Sequence, residues 1–123
     1  MLKNSQKYVK KIDASSVYDV VIRSPITLAE NLSLSFRNKI FLKREDLQPT
    51  HSFKIRGAYN KIKNLVRKDA VSHVVTASAG NHAQGVAYSA KALKIKATIF
   101  MPKTTPSIKV EEVKKMKSKV TLI

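Results

Sequence analysis

Three apolar or β-branched runs, Val71 to Ala77, Ala97 to Met101 and Val120 to Ile123, recur at a spacing of about two dozen residues, with helix-patterned sequence between them. This recurrence constrains the fold more than any other feature. Between the first two runs, Ala83, Val86, Ala87, Ala90 and Leu93 share one helical face. Between the second and third, Ile108, Val110, Val113 and Met116 support a shorter helix, and Pro102 ends the second run. Strand, helix, strand, helix, strand at this spacing predicts an α/β fold of parallel βαβ units with right-handed crossovers. Val71 to Ala77 reads as a buried strand, and Gly85 beside the apolar stripe of the helix that follows suggests a close helix–sheet approach. A parallel strand needs neighbours and cover on both faces. The third run ends at the last residue, so the architecture is expected to be incomplete.

Upstream the pattern is less regular. Ala58, Ile62, Leu65 and Val66 fall on one helical face that begins near Phe53. Lys39 to Glu45 reads as a short strand, Leu28 to Leu34 as a short helix, and Ser24-Pro25 as a turn. The first 22 residues read as a helix or an extended arm with Tyr8, Val9 and Ile12 as apolar positions.

At 123 residues there is room for one small domain with a real core, not for two. No cysteine is present, which excludes disulfides and thiolate metal sites and fits a reducing compartment. No apolar run approaches the roughly 20 residues that span a bilayer, so no membrane partner is expected and the cytoplasm is the default. The net charge of +16 would draw polyanions. Nucleic acid is nevertheless disfavoured as a partner, because the basic residues are mostly scattered lysines without an arginine cluster or an aromatic-basic stripe.

Two segments carry chemistry. One is Lys43 to Ala58, reading KREDLQPTHSFKIRGA; the other is Thr76 to Gly85, TASAGNHAQG, at a strand-to-helix junction. Small residues ahead of a helix leave backbone N–H groups pointing outward, an arrangement suited to a carboxylate or phosphate. The plainer reading is that Ser78 or Asn81 caps the helix. His82 alone reads as a first-turn surface histidine and His73 as a structural one. His51 has no role from spacing. Lys54 stands at the start of an amphipathic helix beside Phe53 and small residues, where desolvation would favour a nucleophilic amine. No metal ligands are apparent.

Both segments resemble the defining motifs of the fold type II pyridoxal-phosphate enzymes (tryptophan synthase β-like), and within them the threonine and serine dehydratases. Ser52-Phe-Lys-Ile-Arg-Gly-Ala58 resembles the cofactor-lysine motif, which implies pyridoxal 5'-phosphate as cofactor, bonded through its aldehyde to Lys54 with Phe53 alongside. Ser78-Ala-Gly-Asn-His82 resembles the loop that binds the substrate carboxylate, giving Ser78, Ala79, Gly80, Asn81 and His82 as substrate contacts. Asn81 is also expected to reach the cofactor's 3′-oxygen. Lys43-Arg-Glu-Asp46 and Thr105-Pro-Ser-Ile-Lys109 match flanking family segments, and the resemblance runs from about Val17 to the last residue. Ser24-Pro-Ile26 stands where the family usually has Thr-Pro-Leu, a conservative departure.

His51 ahead of Ser52-Phe-Lys54 resembles the biosynthetic threonine dehydratases of isoleucine synthesis, whereas the catabolic enzymes more often carry Thr-Gly there. Ala79 replaces the serine that related racemases use as a base, which favours elimination. The resemblance implies dehydration and deamination of L-threonine to 2-oxobutanoate and ammonia, in a homotetramer for the full-length family. It also implies two domains. Residues 1–66 would form an N-terminal arm and part of the cofactor domain, and 67–123 part of a smaller βαβ domain. The family's Gly-rich phosphate loop would lie beyond residue 123, since the glycines here are Gly57, Gly80 and Gly85. The chain is therefore expected to be a truncated, inactive piece. The alternatives are a catabolic serine/threonine dehydratase and a repurposed basic nucleic-acid-binding fragment.

Overall fold

The run Lys96–Met101 buries nearly every residue, because it is the middle strand of a three-stranded parallel sheet in a computed structural model that describes residues 2–123, with side chains from Ser5 onward. This strand, β4, pairs with β3 (His73–Ala77) on one side and with β5 (Lys119–Leu122) on the other. The register sets Val74, Ala97, Ile99, Met101 and Val120 on one face. On that face Ile99 and Met101 are fully buried against Ala83 and Ala87 of α4 (Asn81–Ala92) and Val110 and Val113 of α5 (Ser107–Lys115). The parallel βαβαβ order expected from the sequence is the one observed.

A second cluster joins the sheet to α3 (Lys54–Asp69), where Ala58 and Ile62 meet Val86 of α4, with Val66, Val74, Leu93 and Ile95 around them. It unites residues on both sides of position 66. Helix α3 repeats its apolar residues at helical spacing and stops at Ala70, which takes a left-handed conformation with φ of 50°.

Several expectations are corrected. The β-branched run Val71 to Ala77 predicts a buried strand, yet β3 is an edge strand whose Val75 is 62% exposed. A β-branched run reports strand propensity; it does not reveal whether a neighbour covers the second face. The helix expected from Leu28 begins at Glu30 (α2, Glu30–Ser35), because Ile26–Leu28 forms strand β1, antiparallel to β2 (Phe41–Lys43). Three residues are too few to reveal a period. Gly85 serves a helix–helix contact, not a helix–sheet one. The N-terminal segment forms helix α1 (Leu2–Asp13), with Tyr8, Val9 and Ile12 largely exposed. Among the described residues no helix is long and apolar enough to cross a membrane.

Candidate active site

Lys54 is the first residue of α3, and its amide donates to Ser52 Oγ at 3.2 Å. Its Nζ lies 5.2 Å from the centre of the Phe53 ring. The expectation of a desolvated amine is not met, for Lys54 is exposed and Phe53 is 59% exposed. The first turn of α3, strand β3 and the start of α4 border one groove. It has a volume of about 540 Å³ and is walled by Phe53, Lys54, Thr76, His82 and Val86 among others.

The second motif lies at the turn from β3 into α4. Ser78, Ala79 and Gly80 are half-buried, while Asn81 and His82 are exposed on the first turn of α4. The simple capping role is not seen, because Ser78 Oγ accepts the Gly80 N–H at 3.3 Å and α4 has no capping side chain. The helix therefore starts with N–H groups that no cap consumes. A Cβ at Gly80 would meet nothing within 4 Å, so the loop fronts open space. His82 shares the groove with Lys54, whereas Ser78, Ala79, Gly80 and Asn81 stand at the adjoining turn outside its lining.

Gly85 brings the two motifs together. A Cβ there would stand 3.2 Å from the Ile55 nitrogen and from the Lys54 carbonyl carbon, and 3.3 Å from the Lys54 oxygen. Only a bare backbone lets α4 approach the start of α3 this closely. The remaining histidines stay outside the groove. His73 Nε2 pairs with Thr98 Oγ1 at 2.9 Å across adjacent strands, and His51 Nδ1 lies 3.2 Å from the Asp46 oxygen. Among the described residues no cluster of three or more metal-ligating side chains occurs.

Glu45 and Arg56 form a connection that the sequence reading passed over. Arg56 Nε and Nη2 donate to the two Glu45 carboxylate oxygens, each at 2.8 Å. The Arg56 hydrogen bonds hold the Glu45 carboxyl down at about 2, against an opposing push from burial and with help from Ser24. Both residues sit inside the motifs already singled out; the signal was their opposite charge, and nothing in an 11-residue separation across a loop says they meet.

The groove with its terminal amine fits an aldehyde-bearing cofactor, and the uncapped helix start beside it fits a carboxylate. Comparison with known proteins agrees. A family profile of pyridoxal-phosphate dependent enzymes matches residues 17–123. The chain is 51% identical over 110 residues to an L-threonine dehydratase of Burkholderia multivorans, covering 89% of this chain and 22% of that protein. It is 51% identical over 119 residues to the mitochondrial threonine dehydratase of Saccharomyces cerevisiae, covering 97% and 21%. Among solved structures, threonine deaminase isoform 2 of Solanum lycopersicum superposes with a TM-score of 0.89 at 48% identity, over 98% of this chain and 33% of that one. Maize serine racemase gives 0.80 at 37% identity, over 86% and 32%. The chain thus spans about a fifth of the length of the curated relatives it matches. A profile match over nearly all of the chain, with the lysine and its partner loop on adjacent helix starts, makes the chain a member of the pyridoxal-phosphate dependent enzyme family.

Proposed function

We propose that the chain carries the lysine and substrate-carboxylate segments of a threonine ammonia-lyase, acting on L-threonine to give 2-oxobutanoate and ammonia as the first step of isoleucine biosynthesis. The observation that carries this reading is the Gly85 contact, which sets the Lys54 helix start against the helix that follows the Ser78 to His82 loop. Lys54 Nζ would hold the cofactor aldehyde and, once free, accept the proton from the substrate Cα. Phe53 would pack beside the cofactor and Asn81 would donate to its 3′-oxygen. Backbone donors from Ser78 to His82 would hold the substrate carboxylate and so orient the Cα–H bond toward Lys54. When bound, the cofactor supplies an electron sink for the charge left at Cα. Ala79 offers no hydroxyl for a second proton transfer, which supports elimination over racemisation.

The same reading divides the chain into 1–66, an arm with part of a cofactor domain, and 67–123, part of a smaller βαβ domain. It also carries a homotetrameric assembly and a cytoplasmic setting, the latter supported by a composition without cysteine. The test is a titration of the purified chain with pyridoxal phosphate, followed by the absorbance of lysine-bound cofactor. A saturable band that vanishes in Lys54→Ala is expected. A band of equal size in the variant would mean that surface lysines react and would sink the assignment.

A further inference from the structure

Arg56 lies two residues beyond Lys54 on α3. At about 100° per residue the two side chains leave the helix on nearly opposite sides. Arg56 lines a hollow with Tyr18 and Ile12, whereas Lys54 lines the groove between α3, β3 and α4. Fixing one direction therefore fixes the other. The two-pronged bond from Arg56 to Glu45 is suited to this, because a planar guanidinium meets a carboxylate in one orientation only. Its side chains are just 26% and 16% exposed.

Glu45 is itself anchored. Ser24 Oγ donates to its Oε1, and Gln48 Nε2 reaches the same oxygen at 3.5 Å. Gln48 is 1% exposed and clasps both the N–H and the carbonyl of Ile22 at 3.0 Å. The frame of Ile22, Ser24, Glu45 and Gln48 is thus tied to α3 through Arg56. Ser52 Oγ on the Lys54 amide, the fully buried Ile55 and the close approach of α4 at Gly85 also hold the start of α3, and the Arg56 tie adds a directional anchor to that packed turn.

We propose that the Glu45–Arg56 pair is a positioning device that sets the rotation of the first turn of α3 and so aims the Lys54 amine into the groove. It rests on the reading of Lys54 as the cofactor lysine. A second ion pair onto the same helix, Lys63 with Asp19, is joined by Tyr59 and lies two turns further along. It steadies α3 without bearing on its first turn, which makes it the control.

The experiment uses the 123-residue chain, pyridoxal phosphate and borohydride trapping, with peptide mapping of the share carried by Lys54. In the native chain Lys54 is expected to dominate. In Glu45→Gln its share falls about tenfold, in line with the loss of a precise approach geometry. Exchange of the Lys54 and Arg56 amides accelerates about tenfold, as expected for a broken contact pair. Asp19→Asn leaves the share unchanged, and Glu45→Arg combined with Arg56→Glu recovers part of it. If the native chain shows no preference for Lys54, the cofactor-lysine reading fails and the positioning role with it. If Lys54 is preferred and Glu45→Gln keeps that preference, only the positioning role is overturned. An equal loss in Asp19→Asn overturns it too, by showing that general destabilisation suffices.

Discussion

Gly57 and Gly85 are both helical glycines without positive φ, yet their surroundings predict opposite responses to a methyl group. At Gly57 a Cβ would meet nothing within 4 Å, so Gly57→Ala gains the helix preference of alanine, about 0.5–1 kcal/mol. At Gly85 the same Cβ would press on backbone atoms of Lys54 and Ile55, which cannot swing away as a side chain would. Gly85→Ala is expected to lose about 1–3 kcal/mol through overpacking. Urea midpoints of the two variants check this, and shifts in the same direction would contradict it. In the sequence Gly85 stands beside an apolar helical stripe, which is a sign of close approach. The sequence did not show what approaches, since a missing side chain names no partner. Lys54 was likewise legible as a motif, while its exposure was not, because exposure depends on elements distant in sequence.

The regular elements were legible because their periods are long enough to count. Strands β3 to β5 and helices α3 to α5 all span at least four residues, with apolar or β-branched runs in the strands and helical spacing in the helices. Strand β1 was not, and neither was the tie between the Glu45–Leu47 turn and α3, which depends on how the intervening loop folds back. That tie has a pH signature. The Glu45 carboxyl is lowered from 4.5 to about 2, chiefly by Arg56. Between those values the unfolded chain binds the proton and the folded chain does not, so stability falls as the medium is acidified. The contribution is complete above about pH 4.5, at most about 3 kcal/mol, and is lost as pH drops toward 2. Unfolding midpoints of the native chain and Glu45→Gln should therefore differ at neutral pH and converge with acid. A gap that stays constant down to pH 2 would show that the carboxylate charge is not what binds the two elements.

At the scale of the molecule the dominant fact is charge. Eight acidic residues face 24 basic ones, for a net +16. Among the described residues the ion pairs engage Arg44, Arg56, Lys63 and Lys114, which leaves most of the cations without a carboxylate. Some are crowded together, as where Lys11, Lys61, Lys63, Arg67 and Lys68 line one groove between α1 and α3. Compact folding holds such charges closer than an open chain does, so repulsion opposes the native state. Screening should relieve it, because the Debye length shrinks from about 30 Å at 0.01 M salt to about 8 Å at 0.15 M. The exposed pairs Arg44–Asp46 and Lys114–Glu111 weaken under the same screening, but solvent-exposed pairs of this kind add little to begin with. Repulsion spread over the surface should outweigh them. Thermal melts at pH 7 in rising sodium chloride are thus expected to show an increasing Tm, at about 3–5 °C for each kcal/mol of relief in a chain of this size. A Tm that falls with salt would reverse the ranking, making a few local pairs more important to this fold than the field of all its lysines.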